Sequence, residues 1–356
     1  MSSLIVEVCE IDEINEHPNA DALEVAVVKG WECIVRKSSF QVGDRVVYFP
    51  LDTLIPLDLA EKLGVTNYLK GLRKDYPQPA DRPWGGRVGA TRLRGQVSYG
   101  LLMELEREDW DVGQNVAEEL GVGKWEPPVQ HGSDESLPAH PLFHTYTDIE
   151  NWKNFPHAFE EGEEIALTEK IHGTNARIGL IRTEDGEREW MAGSHNQRRK
   201  PPEEGELPGV YWLPMTGEVK SLLSDPAFEG KSVILFGEIF GAGVQDLKYG
   251  QSNNQKQFRA FDLAVDFQYL DLDEFLTMCQ KHDVATVPLV YRGPYSAEVI
   301  REHTSGQTTV CDADQIREGV VIRPVKERRS EVVNGRLVLK SISDDYVLRK
   351  GGTEHH

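Results

Sequence analysis

Cysteine is scarce in this chain, and neither long apolar runs nor a basic balance is present. Its four cysteines (Cys9, Cys33, Cys279, Cys311) lie far apart, without a CxxC pair or a His–Cys cluster at zinc spacing. That pattern argues against a disulfide framework and a structural zinc, and for a reducing compartment. No stretch approaches the roughly 18–20 apolar residues that cross a bilayer, so no membrane partner is expected. The opening MSSLIVEVCEIDEINEH has no basic n-region and soon meets acids, so it does not read as a secretory signal. The cytoplasm is the expected location. Also missing are GxxxxGK[ST], GxSxG, HExxH and a dinucleotide fingerprint, which removes P-loop, α/β-hydrolase, zincin and Rossmann chemistry. Gly241 and Gly243 make a GxG with no third glycine.

Charge of one sign is also short. Lys and Arg number 39 against 59 Asp and Glu, a net −20 that repels nucleic acid on average. Local patches differ from the average. Lys70 to Arg94 holds seven bases (Lys70, Arg73, Lys74, Arg82, Arg87, Arg92, Arg94) and two acids (Asp75, Asp81). A run of this kind is commonly just a solvated face. Here Tyr76, Trp84 and Tyr99 lie in or beside it as possible stacking surfaces, so a nucleic-acid face is expected, with Arg73, Lys74, Arg87, Arg92 and Arg94 as contacts. A second basic stretch runs from Arg317 to Lys350.

What is there suffices for two ordinary domains. The 356 residues are 39% hydrophobic and 28% charged, enough to bury a normal core. Residues 1–125 carry short β-rich runs (LEVAVVKG, WECIVRK, RVVYFPL, GRVGATRLRG) punctuated by turn signals, and one helix is expected near Leu57–Leu63, stopped by Gly64. Short strands with glycine at the bends suggest a small barrel. Residues 126–141 (EPPVQHGSDESLPAHP) read as a linker. Residues 142–350 alternate strands (EIALTEKI, NARIGLIRT, REWMAGS, SVILFGEIF, QFRAFDLAVDF, GVVIRPV, RLVLKSI) with helices (EVKSLLSD, LDEFLTMCQKH, SAEVIREHT). NARIGLIRT and REWMAGS flank a hairpin turn. Residues 351–356 read as a tail.

The chemistry-bearing feature is Glu169-Lys170-Ile171-His172-Gly173-Thr174-Asn175, a lysine at the end of one apolar strand entering another. A lone lysine at a strand end is ordinarily solvated. Four further charged or aromatic groups each sit beside an apolar strand: Phe236-Gly237-Glu238, Phe261-Asp262, Glu318-Gly319-Val320-Val321 and Leu339-Lys340. Taken singly, each is an edge charge or a core phenylalanine; their order is the signal.

In that order the segments resemble the motifs of the covalent nucleotidyltransferases, the superfamily of polynucleotide ligases and mRNA capping enzymes. Lys170-x-His172-Gly173 is similar to motif I, Gly193-Ser194-His195-Asn196-Gln197-Arg198 to motif Ia, Phe236–Glu238 to motif III, Phe261-Asp262 to motif IIIa, Glu318–Val321 to motif IV and Leu339-Lys340 to motif V. KxHG resembles RNA ligases more than DNA ligases, whose motif is usually KxDG. The resemblance implies an α+β fold: an amino-terminal OB-like β-barrel, then an adenylyltransferase (ATP-grasp-like nucleotidyltransferase) domain of antiparallel sheets with flanking helices. Relatives of the DNA-ligase and capping type carry an OB domain after motif V. Sixteen residues follow Lys340 here, too few for a barrel, so the barrel is expected in front.

The implied reaction starts with the Lys170 amine attacking the α-phosphorus of ATP, expelling pyrophosphate and leaving a lysyl-AMP phosphoramidate. An ordinary lysine, with a pKa of about 10.4, is only about 0.04% neutral at pH 7, so such a site must favour the free amine. AMP then passes to the 5′-phosphate of a nick, and the 3′-hydroxyl displaces it. By resemblance, Glu318 binds Mg2+ or Mn2+ with Asn175 helping orient its hydration, and Lys340 meets the α-phosphate. Glu238 and Arg198 hold the ribose, Phe261 stacks on adenine, and Glu169 helps position the purine. Gly173 allows close approach of the ligand, and His172 is expected to meet phosphate or pyrophosphate. The expected partner is nicked duplex RNA or an RNA-containing hybrid.

Two departures from the family pattern stand out. Motif V commonly reads KxK, but its first position here is Val338, leaving Arg336 or nothing to replace that lysine. In motif Ia three residues separate Ser194 from Arg198 and Arg199. Other readings are a DNA-preferring ligase, a capping-type transferase, and a non-catalytic RNA-binding protein. Retention of Lys170, Glu238, Glu318 and Lys340 weighs against the last.

Overall fold

The computed structural model describes residues 4–126, 136–253 and 255–349. The chain divides into two compact units, Met1–Gln130 with Asp344–His356, and His131–Ser343. Of the linker expected at 126–141, residues 127–135 lie outside the described residues, as does the 351–356 tail.

The first unit contains β1 (Glu7–Glu10), β2 (Glu13–Glu16), β3 (Leu23–Val28), β4 (Trp31–Arg36), β5 (Arg45–Phe49), β6 (Thr53–Pro56), α1 (Leu57–Lys62), β7 (Trp84–Arg87), β8 (Thr91–Leu93), β9 (Gln96–Ser98), β10 (Leu101–Glu104), α2 (Ala117–Leu120) and β11 (Gly123–Lys124). They pair antiparallel as β1-β5-β10, β2-β3-β4, β11-β6-β7 and the hairpin β8-β9. The hairpin turns on Arg94 and Gly95, at φ 49° and 97°. Two successive positive φ values match the twist of the strands they join, and glycine takes the second without cost. Val8, Val46, Val47, Phe49 and Ile55 fill the interior.

The second unit contains β12 (Ser136–Leu137), β13 (Glu150–Asn151), β14 (Glu164–Lys170), β15 (Thr174–Arg182), β16 (Arg188–Ser194), β17 (Arg198–Arg199), α3 (Gly217–Leu223), β18 (Val233–Gly241), β19 (Lys256–Val265), β20 (Gln268–Tyr269), α4 (Leu272–Lys281), β21 (Leu289–Pro294), α5 (Ala297–Thr304), β22 (Gly319–Pro324), β23 (Arg329–Ser330), β24 (Gly335–Arg336) and β25 (Leu339–Ile342). A last helix, α6 (Asp344–Leu348), belongs with the first unit. The seven-stranded sheet runs β12-β17-β16-β15-β18-β19-β20 and the five-stranded sheet β13-β25-β22-β14-β21; only β13–β25 is parallel. Ser136–Leu137, inside the expected linker, are thus an edge strand on Arg198–Arg199.

The expected NARIGLIRT–REWMAGS hairpin is β15–β16, in register from Ala176↔Ser194 to Arg182↔Arg188. VILFGEIF reads as an almost unbroken apolar run because β18 is covered on both faces. Val233, Leu235 and Ile239 pack with Leu222 of α3 and Phe275 of α4, while Ile234 and Phe236 pack with Phe143 and Met191. In the five-stranded sheet, Ile165, Leu167, Val320, Ile322 and Leu339 face Trp152, Phe159 and Ile300 of α5. Each such side chain, fully buried, contributes about 1.5–3 kcal/mol. The alternation leaves Thr168, Lys170, Val321 and Lys340 on the other face, since Thr168 pairs with Val321 and Val321 with Lys340.

Candidate active site

Lys170 closes β14 directly opposite Gly319, so the carboxylate before that glycine arrives beside it. Lys170 Nζ lies 2.8 Å from Glu318 Oε1, with the lysine side chain 11% exposed and the glutamate fully buried. A buried ion pair is a weak source of stability but a costly one to break on one side, about 3–5 kcal/mol. No room exists for a side chain at Gly319, where a Cβ would meet Ser341 O at 2.1 Å.

The β14–β15 reversal passes through Gly173, whose Cβ would lie 2.1 Å from Ile239 O and 2.9 Å from Glu238 Cγ. Only glycine lets the two backbones meet this closely. Next along β15, Asn175 pairs with Glu238, placing both on one face of the seven-stranded sheet. Burial pushes the Glu238 carboxyl up to about 8; the Lys170 charge opposes the rise, Glu318 adds to it, and the Gly173 N–H donated to it opposes it. Lys170, Glu318 and Glu238 therefore share one electrostatic site.

His172 is 2% exposed and held by protein on several sides. Its backbone N–H donates to Tyr249 Oη (2.6 Å), Nε2 lies 2.7 Å from Asp246 Oδ1, and Nδ1 lies 3.5 Å from Glu318 Oε2. Asp246 and Tyr249 belong to no motif noticed in the sequence. Their spacing from His172 carries no local signal, because the loop between β18 and β19 delivers them.

Phe261 occupies a β-bulge. β19 shifts register between Phe236↔Asp262 and Gly237↔Ala260, leaving Phe261 as the extra residue. Bulges re-aim a side chain beside functional sites, and this part-exposed ring packs edge-on against Tyr146 at 4.8 Å. Phe258, three residues earlier on the same strand, is on the opposite face, with its ring where a Cβ on Gly237 would have to go.

Asp262 is fully buried among cations. Arg323 Nη1 (3.3 Å), Arg336 Nη2 (2.5 Å) and the Tyr146 hydroxyl (2.9 Å) donate to it. Burial raises its pKa, but the two guanidiniums outweigh that and hold the carboxyl below its ordinary range. Arg336 also bonds Glu327 through Nε and Nη2 (both 2.7 Å) and lies 3.7 Å from the Tyr269 ring centroid. Its fork is committed to this anchor, with Nη1 donating to the Tyr146 hydroxyl as well (3.0 Å). Lys340, 4% exposed, is on the Lys170 side of its sheet.

Of two further expected ligands, Glu169 is turned from the Lys170 face of its sheet and Arg198 is on the Asn175–Glu238 face. Glu169 faces away from Lys170, and its carboxylate accepts Thr308 Oγ1 (2.5 Å), Thr309 N (2.6 Å) and Thr309 Oγ1 (2.7 Å), so the side chain anchors the 308–309 loop. Arg198 does share the Asn175–Glu238 face, through Gly193 and Arg177, and donates to Glu189 at 2.8 Å. Arg199 is on the other face, near the Tyr211 ring.

A divalent ion fits these residues. Asn175 Oδ1 is buried with no hydrogen-bond partner, next to the buried Glu318 carboxylate's neighbour Glu238. Among the described residues no group of three or more His, Cys, Asp or Glu side chains could hold an ion alone. A hard cation held by one carboxylate, an amide oxygen, water and substrate oxygens has no need of such a cage.

In the first unit the basic stretch is largely neutralised. Arg87 bonds Asp52 (3.0 Å) and lies 4.0 Å from the Trp125 ring, Arg73 forks onto Asp75 (3.0 and 2.8 Å), and Arg82 onto Asp58. Lys74, Arg92 and Arg94 are exposed, the last two at the β8–β9 hairpin, with Arg92 Nη1 donating to Gly95 O. Tyr99 offers no stacking surface: it is 5% exposed and packs on Trp31.

Comparison with known proteins agrees with this arrangement. A family model described as RNA ligase matches residues 163–342, and a model described as an OB-fold domain matches residues 5–105. No curated protein matches. Among solved structures, a Naegleria gruberi RNA ligase mutant with AMP and Mn is 25% identical at a TM-score of 0.77, covering 98% of this chain and 99% of its own. The Naegleria gruberi RNA ligase with PPi matches at 25% identity and a TM-score of 0.77, covering 97% and 98%. Another mutant of that enzyme, with ATP and Mn, matches at 25% identity and 0.77, covering 98% and 99%. The α+β expectation of an OB-fold domain ahead of a nucleotidyltransferase-like ligase fold holds.

Proposed function

Because this chain belongs to the RNA ligase family, we propose that it uses ATP to seal 3′-hydroxyl/5′-phosphate nicks in duplex RNA or RNA-containing hybrids, in RNA repair, with Lys170 as the nucleophile. The adenylation domain ends at 343 rather than the expected 350, since α6 belongs with the first unit, and residues 1–125 are an OB-like domain that grips the nucleic acid, chiefly through Lys74, Arg92 and Arg94. The observation that carries the reading is the convergence of Lys170, Glu318 and Glu238 at one buried site. The four free thiols, three of them buried, fit a cytoplasmic protein. No helix among the described residues is long and apolar enough to cross a membrane.

In the first step Lys170 Nζ leaves Glu318 Oε1, loses a proton and forms a bond to the α-phosphorus as the bond to pyrophosphate breaks. AMP next moves to the 5′-phosphate of the nick, freeing the lysine, and the 3′-hydroxyl then displaces AMP to close the phosphodiester. Phosphoryl transfer depends on alignment and charge neutralisation. Lys340, on the same face as Lys170, meets the developing charge at the α-phosphate. Glu238 and Arg198 hold the ribose hydroxyls, and the bulged Phe261 stacks on the base. Gly173 keeps the reversal flat beneath the nucleotide. Glu318 and Asn175 would hold Mg2+ or Mn2+, which when bound neutralises phosphate charge.

The test is mass spectrometry of protein incubated with ATP and Mg2+ or Mn2+. Wild type gains an AMP adduct at Lys170 and Lys170→Ala gains none; an adduct on the variant refutes the nucleophile. Parallel nicks ending in a ribose or a deoxyribose 3′-hydroxyl measure strand preference, and equal sealing of the all-DNA nick refutes RNA specificity.

A further inference from the structure

The carboxylate next to the nucleophile in sequence is closed to any ligand. The Glu169 side chain is fully buried. Both of its oxygens are committed to the segment that follows α5: Oε1 accepts Thr308 Oγ1 (2.5 Å), and Oε2 accepts Thr309 N (2.6 Å) and Thr309 Oγ1 (2.7 Å). Three hydrogen bonds leave a carboxylate little acceptor capacity, and with no exposed surface Glu169 cannot meet a base. We propose that Glu169 is a positioning residue that holds residues 308–311 as a wall of the base pocket beside Phe261, so that the base is selected by its fit between ring and wall. The inference rests on the reading of Phe261 as the residue that stacks on the base.

Several observations support it. Val310 and Cys311, directly after the two threonines, pack with Phe261 against one buried cluster of Ile171, Phe240, Tyr249 and Val287. Ile171 follows Lys170, so that cluster borders the nucleophile. Residues 308–311 belong to no helix or strand, which gives the bonds from Glu169 weight in deciding where they sit. The base of this loop is closed by the bridge Gln307↔Ile316, by Thr308 N donating to Gln315 O (2.8 Å) and by Arg317 Nη2 donating to Gln307 O (3.1 Å). Above it, Thr308 Oγ1 accepts the Val310 N–H (3.2 Å) while giving its own hydrogen to Glu169. The buried carboxylate thus sets the turn that carries Val310 and Cys311.

The experiment uses full-length wild type, Glu169→Ala and the double variant Thr308→Val/Thr309→Val. Adenylylation of Lys170 is measured against ATP and against purine riboside triphosphate, whose base lacks the 6-amino group. Both variants should raise KM about 10-fold or more, and by the same factor for the two nucleotides, because a wall displaced by about 1 Å fits either base less well. A Glu169→Ala that raises KM for ATP but not for the analogue overturns the proposal, since the carboxylate would then read the amino group itself. Unshifted KM values also overturn it, and if Glu169→Ala does not fold, the double variant decides. Cys311 gives a second readout, because it is part-exposed while Cys9, Cys33 and Cys279 are buried. Its alkylation by N-ethylmaleimide is followed by mass spectrometry with α,β-methylene-ATP, which cannot transfer AMP to the lysine. At about ten times the wild-type Kd this analogue should slow alkylation about 10-fold in wild type and only about twofold in the variants, by mass action. An unprotected Cys311 in wild type overturns the wall. A wild type that forms no adduct refutes the proposed function; a wild-type adduct with unshifted variants or an unprotected Cys311 refutes this inference alone.

Discussion

Replacing Glu238 by glutamine should stabilise the protein at high pH while damaging its chemistry. The carboxyl is pushed from an ordinary 4.5 to about 8, chiefly by burial. Between those values the folded chain keeps a proton that the unfolded chain has released. Stability therefore falls as pH rises from about 4.5 to about 8 and levels off above. Full expression of that interval corresponds to roughly 5 kcal/mol. Glu238 retains some contact with solvent, so screening reduces this to about 2–3 kcal/mol. Glutamine keeps the shape and the acceptor for the Gly173 N–H but carries no charge at any pH. The two proteins should melt together at pH 5. At pH 9, without nucleotide or metal, Glu238→Gln should melt about 5–10 °C higher. Calorimetry at pH 5, 7 and 9 reads this directly, and taking the difference between proteins cancels every other titrating group. A gap that does not change with pH, or a variant less stable than wild type at pH 9, refutes the electrostatic account. The same variant should bind ATP more weakly, a trade of activity against stability at a functional site.

Other perturbations separate structure from chemistry. Gly173→Ala, forced 2.1 Å from Ile239 O, should cost about 1–3 kcal/mol and all but abolish the AMP adduct, as read by melting and mass spectrometry. Arg336→Met takes one of two guanidiniums from the buried Asp262 carboxylate and leaves Glu327 without it, and should lower stability by about 3 kcal/mol in denaturant titration; a stable variant that has lost only nucleotide affinity would point to Arg336 as a phosphate contact. The double variant Lys74→Ala/Arg94→Ala should lower the salt slope of RNA binding by about 2, with melting unchanged. Arg87→Ala should instead lower the melting temperature, because it takes a guanidinium away from the buried Asp52 carboxylate.

The linear chain announced the fold through apolar runs whose spacing separates strands from helices. It announced the site through the order of its charged interruptions. Lys170 and Glu318 are 148 residues apart, and both were legible as candidates because each closes or opens an apolar strand, but their ion pair is visible only in the structure. Side-chain destinations were less legible. Glu169 adjoins the nucleophile in sequence, but strand alternation turns it to the opposite face. The bases of 70–94 looked available until Asp52 and Asp58, both outside that window, took Arg87 and Arg82. Asp246 reaches His172 across 74 residues through a loop with no periodicity, so only tertiary structure could connect them.

The bulge in β19 has a consequence for how this enzyme could be dissected. Gly237↔Ala260 and Phe236↔Asp262 are already consecutive rungs of the ladder on either side of Phe261. Excising that one residue would leave an uninterrupted strand, with Asp262 still meeting Arg323 and Arg336. The Phe261 ring behaves as an inserted part, removable without disturbing its frame, so the proposed stacking on the base can be tested while the anchoring half of the strand stays as it is.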